Sequence, residues 1–135
     1  MSDLTERKRA ARKAAFARRK AAHALDIGAC AGLLSSVLVG YRGVSLAGYM
    51  PIRTEIDPRP AMAEAAGYGP VGVPVIAAEG HPLRFSKWYP EGALKEGPFG
   101  AKIPIDDDFF EPELVIVPLV AFDSNGGRLG YVGGF

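Results

Sequence analysis

Apolar and polar positions follow two different periods along this chain, and each change of period marks an element. Residues 2–25, SDLTERKRAARKAAFARRKAAHAL, set Leu4, Ala11, Ala15, Ala22 and Leu25 on one stripe at helical spacing, with basic residues around much of the rest. Ser2, Asp3 and Thr5 are candidate N-caps, and alanine and arginine favour helix, so the pattern predicts a first helix here. A second helix is predicted over Asp26–Val39, ending near Gly40 and Gly43. GVSLAGYM (43–50) reads as a short, largely buried strand closed by Pro51. IDPRPAMAEAAGYG (56–69) opens on proline punctuation and runs into a short alanine-rich helix stopped at Gly67 and Gly69. VGVPVIA (71–77) and LRFSKWY (83–89) read as strands joined by the turn AEGHP. Residues 90–112 show little periodicity and are expected to be a long loop. ELVIVPLVAFD (113–123), the most apolar run, suits a central strand buried on both faces, with Pro118 bending or ending it.

Helices alternating with buried strands predict an α/β domain. In open α/β sheets ligands bind beyond the carboxyl ends of the strands, which directs attention to the turns after Met50, after the strand around Phe85 and after Phe122. At 135 residues, 48% hydrophobic and 23% charged, the chain fits one globular domain over residues 1–135. Cys30 is the only cysteine, which excludes an internal disulfide and a cysteine-cluster metal site and leaves a small buried hydrophobe as its simplest role. The longest charge-free run, Ile27–Tyr41, falls short of the ~20 apolar residues of a membrane span. No signal peptide is recognisable, so the cytoplasm is the expected compartment and no membrane partner is expected. The net charge of +1 hides an asymmetry: residues 1–23 hold eight basic and two acidic side chains, so that segment is +6 and the rest −5.

Several side chains could carry chemistry. The last fourteen residues, FDSNGGRLGYVGGF, contain Gly126, Gly127, Gly130, Gly133 and Gly134, whose freedom would let successive N–H groups face an anion, with Arg128 as a cation. A glycine-rich tail is the plainer alternative. No Gly-Lys-Ser/Thr follows, so this is not a nucleoside-triphosphate P-loop. Lys8 and Arg12, four apart on a helix, could clamp a phosphate or form a solvated basic face. Interleaved aromatics are lacking there, so no nucleic acid is expected as a partner. Glu55 and Asp57 stand in a polar turn after a buried strand, a place for a carboxylate that hydrogen-bonds an amine or amide edge. Glu55 could equally stabilise the turn, and Asp57 could form an Asx turn before Pro58. Trp88 could stack on a flat ring or pack the core. His23 and His81 are isolated, Asp106–Asp108 reads as a solvated loop, and no metal ligands are assigned.

In order, these segments resemble the 5-formyltetrahydrofolate cyclo-ligase (methenyltetrahydrofolate synthetase) family. The likeness runs from KRAARKAAFARR through YMPIRTEIDPRP, VPVI, PLRFSKW and LKEGPFGAKIP to LVIVPLVAFDSNGGRLGY, spanning essentially the whole chain. It implies a three-layer α/β/α sandwich around a mainly parallel sheet. It also implies an ATP-dependent ligase of one-carbon metabolism, with Mg²⁺, in which the formyl oxygen of 5-formyltetrahydrofolate is phosphorylated and N10 attacks. The products would be 5,10-methenyltetrahydrofolate, ADP and phosphate. Carried over, Lys8, Arg9, Ala10, Ala11 and Arg12 would meet ATP from the first helix. Arg128, Leu129, Gly130, Tyr131, Val132, Gly133, Gly134 and Phe135 would form the ATP loop, Arg128 and Tyr131 being catalytic. Met50, Glu55 and Trp88 would contact the folate, Glu55 at its polar pterin edge.

The sequence also departs from the family. Its loop pattern, Gly-Tyr-Gly-Gly-Gly-Phe-Tyr-Asp-Arg, becomes GYVGGF, with Val132 at a glycine position, and Ile103 stands where glutamate is common. The resemblance then implies a fold incomplete at the C-terminal end, lacking Tyr-Asp-Arg, a helix and the last strands. Such a chain is expected to be a monomer of marginal stability, or to associate through an uncovered sheet edge. The alternatives are a truncated homologue that binds folate without turnover, and an interaction protein that uses residues 7–20 of its basic helix on nucleic acid or an acidic partner.

Overall fold

A computed structural model describes residues 3–25, 29–76, 80–97 and 100–130, with backbone alone for 29–31. In chain order the elements are α1 (Asp3–Ala24), α2 (Ala29–Leu38), a 3-10 turn (Val39–Tyr41), β1 (Leu46–Ala47), α3 (Arg59–Ala66), β2 (Val71–Val75) and β3 (Arg84–Lys87). There follow β4 (Leu94–Glu96), β5 (Lys102–Pro104), β6 (Phe109–Phe110), β7 (Leu114–Val115), β8 (Ala121–Phe122) and β9 (Arg128–Leu129). They form two compact units, one of residues 27–117 and one joining residues 1–26 to 118–135.

The larger unit is α/β. Its sheet has the order β6-β3-β2-β1-β7. β1 is parallel to β2 and to β7, while β3 is antiparallel to both β2 and β6. β3 alone of the five therefore runs against the rest, and the sheet is mainly parallel, as expected. Leu46, Val71 and Val73 join Met62, Ala61, Leu38, Met50 and Trp88 in one buried cluster. Proline in the first turn of α3 costs no hydrogen bond, and Gly67 ends that helix with its N–H on the last carbonyls. α3 then crosses close to β1: a Cβ on Gly48 would lie 2.5 Å from Met62 Sδ, so a larger residue there would have to displace the methionine side chain.

Residues 111–113 alone connect β6, at one edge, to β7, at the other. Flat, those edges would stand ~19 Å apart, yet the four Cα steps from Phe110 to Leu114 reach at most ~14 Å. The sheet is therefore curled, and one groove is lined from both edges, by Phe85, Phe109, Phe110 and Val115 among others.

Three expectations are corrected. Residues 90–112 are not a long loop: β4 and β5 pair as an antiparallel ribbon, and β6 joins the main sheet. Strands of two or three residues are too short for alternation to show. Nor is 113–123 a buried central strand. β7 keeps two residues of it at the sheet edge, Val115 and Val117 are 44% and 59% exposed, and Phe122 belongs to the other unit. The unit boundary falls at Pro118, whose missing N–H ends the ladder. Finally, of the expected stripe α1 buries Ala15 alone. Leu4 and Leu25 are exposed, and the covered face is Arg12, Ala15, Phe16 and Arg19, again at helical spacing but turned around the axis.

Candidate functional site

The loop after β1 carries the motif Tyr49-Met50-Pro51-Ile52-Arg53-Thr54-Glu55, and two of its own side chains brace it. Tyr49 Oη donates to the Ile56 carbonyl at 2.7 Å. Glu55 Oε1 accepts the Ile52 N–H at 2.8 Å, while the Glu55 N–H donates to the Ile52 carbonyl at 3.1 Å. That double closure holds Arg53 in the left-handed region, φ 53°, which a non-glycine residue enters at a cost of ~1–2 kcal/mol. Glu55 is buried, 5% exposed, and Met50 of the same loop belongs to the buried core. The turn-stabilising role considered for Glu55 is thus present.

Asp57 forms the Asx turn that was one of its two readings: its Oδ1 accepts the Arg59 N–H at 3.0 Å, and both carboxylate oxygens meet the Arg59 guanidinium at 2.8 and 2.9 Å. The hydrogen bonds from the Arg59 side chain hold the Asp57 carboxyl below its ordinary value.

Trp88 packs the core, 5% exposed. Because β3 runs antiparallel, the residues after it lie at the amino ends of the parallel strands, not at the carboxyl ends as expected from a uniform sheet. The Trp88 N–H bonds the carbonyl of Val71, the residue that opens β2 and pairs with Leu46 of β1. Met50 lies four residues beyond Leu46, roughly 13 Å along extended chain. Trp88 instead borders a cavity of about 250 Å³ with Pro70, Lys87 and Tyr89.

In the smaller unit, β8 and β9 form a hairpin, with Ala121 opposite Leu129 and Phe122 opposite Arg128. Gly126, at φ 86°, supplies the left-handed turn residue. Asp123 Oδ1 accepts the N–H groups of Asn125 at 2.9 Å and Gly127 at 2.7 Å. The anion held by this glycine-rich stretch is therefore the chain's own carboxylate, which corrects the expectation that Gly126 and Gly127 belong to an anion cradle. Arg128 is exposed. Arg12 reaches from α1 to the end of β9, its Nε donating to the Gly130 carbonyl at 2.9 Å. Lys8, Arg9, Ala10 and Ala11 are exposed along the same helix. Of the expected ATP residues, Arg12, Arg128, Leu129 and Gly130 are thus brought together, while Tyr131, Val132, Gly133, Gly134 and Phe135 lie outside the described residues.

Among the described residues no group of three or more His, Cys, Asp or Glu side chains could hold a metal ion, and no helix is long and apolar enough to cross a membrane. Tyr49 and Asp123 were not expected as braces; a Tyr–x₅–Glu pair around a proline and an Asp-Ser-Asn-Gly-Gly turn are the signals that could have found them.

No family model matches the chain, and no curated protein matches it. Among solved structures, its fold is similar to the NMR structure of Aquifex aeolicus 5,10-methenyltetrahydrofolate synthetase. The TM-score is 0.78 at 23% sequence identity, over 94% of this chain and 68% of that one. The likeness shows the fold, and the neighbour belongs to the family that the sequence motifs resemble.

Proposed function

We propose that this chain acts as an ATP-dependent 5-formyltetrahydrofolate cyclo-ligase. The observation that supports this most is a fold shared with a methenyltetrahydrofolate synthetase over 94% of the chain, together with that family's motifs in the same order along it. The reaction needs an amide-type oxygen made into a leaving group. Phosphoryl transfer from ATP to the formyl oxygen does this, N10 closes onto the carbon and loses its proton, and the oxygen departs as phosphate. Catalysis then consists of positioning and of neutralising phosphate charge.

In this reading the loop of Met50 and Glu55 receives the folate, with Glu55 accepting from the pterin's amine and amide edge. The basic segment Lys8–Arg12 and the segment Arg128–Phe135 receive ATP. Arg128 and Tyr131 would act on the transferring phosphoryl group. Magnesium would arrive with the nucleotide, since Mg²⁺ is commonly held by substrate phosphates and few protein carboxylates, and the described residues offer no cluster of their own.

The test is the rise in methenyltetrahydrofolate absorbance on mixing the protein with 5-formyltetrahydrofolate, ATP and Mg²⁺. A rise that needs ATP supports the reading; no rise with saturable folate binding would leave a folate-binding protein without turnover.

A further inference from the structure

Arg53 occupies a backbone position that its residue type disfavours. The hydrogen bond from the Glu55 N–H to the Ile52 carbonyl closes a four-residue turn, and Arg53 is its second residue, at φ 53°. Turns with a positive φ at that place are dominated by glycine, asparagine and aspartate, because a Cβ crowds the backbone there. Among the described residues Arg53 is the only one other than glycine with a positive φ. Glu55 holds the strain, since its carboxylate takes the Ile52 N–H within the same turn. Arg53 itself is exposed, and among the described residues no ion pair engages it. Strained residues held in this way cluster at ligand-binding sites.

We propose that Arg53 reads the C4 carbonyl of the pterin and so makes the site selective for 4-oxo over 4-amino pteridines. The inference rests on the folate-binding reading of this loop and adds the residue that tells its ligands apart. Along one edge a 4-oxopterin carries the 2-amino group, the N3–H and the C4 carbonyl: two donors, then an acceptor. An ionised carboxylate only accepts hydrogen bonds, and a guanidinium only donates them. Glu55 can take the two donors, but it leaves the carbonyl needing a donor beside it. Two residues apart, the Cα atoms of Arg53 and Glu55 are separated by at most ~7 Å. The two side chains can therefore meet adjoining atoms of one ligand, whereas the glutamyl carboxylates lie at its other end, beyond the aminobenzoyl ring. A 4-amino pteridine instead carries a donor at C4 and an acceptor at N3, which sets donor against donor at Arg53.

The experiment titrates 5-formyltetrahydrofolate and its 4-amino-4-deoxy analogue calorimetrically into the unaltered protein, Arg53→Gly and Arg53→Lys, with urea unfolding of each. Arg53→Gly removes the donor and relieves the turn, a gain that glycine's freedom in the unfolded chain offsets only in part. Its urea midpoint should hold or rise. Its preference for the 4-oxo ligand should fall about tenfold or more, the scale of one charge-assisted hydrogen bond. Arg53→Lys keeps a cationic donor on the same backbone, so its preference should exceed that of Arg53→Gly. An unchanged preference in Arg53→Gly would overturn the proposal, as would a lysine variant no more selective than the glycine one. A lowered urea midpoint in Arg53→Gly would also overturn it, because the side chain would then be kept for the fold. If the unaltered protein binds neither ligand, the folate reading fails and this inference with it. That result appears before any substitution, and so differs from a folate-binding protein indifferent to residue 53.

Discussion

Glu55 serves the loop and, in the proposed reading, the ligand, and two substitutions separate the roles. Glu55→Ala removes the acceptor of the Ile52 N–H and leaves that donor beside a buried site; an orphaned donor costs ~1–3 kcal/mol. Because the same closure holds Arg53 at φ 53°, the loop has no cheap alternative way to keep its shape. Glu55→Gln keeps an acceptor oxygen at nearly the same place, so its stability loss should be below ~1 kcal/mol. For the ligand the order changes. A charge-assisted hydrogen bond is worth ~1.5–3 kcal/mol, and its loss weakens binding roughly 10- to 100-fold. Both variants should therefore bind 5-formyltetrahydrofolate weakly by titration calorimetry, while urea unfolding should single out Glu55→Ala. Glu55→Gln binding the folate as tightly as the unaltered protein would refute the ligand role. Glu55→Ala unfolding at the same urea concentration would refute the brace.

Three further outcomes follow from the packing and the charges. Met62→Ala empties a fully buried position under Gly48 and should cost ~2–5 kcal/mol in urea unfolding. Gly72→Ala puts a Cβ against the Phe110 ring and 2.6 Å from the Ser86 carbonyl oxygen, and is expected to destabilise by ~1–3 kcal/mol, since backbone on the neighbouring strand cannot swing away. The Asp57 carboxyl is held low by Arg59, so its contribution is present above the ordinary carboxylate range and is lost as pH falls through the lowered folded value. Both partners are about half exposed, which limits the pair to ~1 kcal/mol or less; the stability gap between the unaltered protein and Asp57→Asn should be seen at pH 7 and close below about pH 4.

The sequence was most legible where periodicity is long or turn chemistry is explicit. α1, α3, β2 and β3 lie where the pattern put them, and the Asx turn at Asp57 was one of two stated options. Strand direction was legible in the turn and not in the strand: five residues between 71–77 and 83–89 are too few for a parallel crossover, and the resulting reversal puts Trp88 at the opposite end of the strands from the Glu55 loop. The break at Pro118 was legible from proline's missing donor, but the separate unit beyond it was not: the run 113–123 is divided there between an edge strand and a hairpin. At the candidate site, the types Glu55, Arg12 and Arg128 were readable, but the internal partners were not. Glu55 and Arg12 each hold a main-chain group besides any ligand, and Asp123 takes the amides that glycine spacing had suggested for a phosphate.

The measurement closest to the central claim follows the formyl oxygen. 5-Formyltetrahydrofolate carrying ¹⁸O in the formyl group is incubated with the protein, ATP and Mg²⁺, and the released phosphate is analysed by mass spectrometry. Phosphorylation of that oxygen followed by its displacement requires one ¹⁸O in each phosphate formed, matched one-to-one with methenyltetrahydrofolate. Unlabelled phosphate, or phosphate released without methenyltetrahydrofolate, would contradict the account.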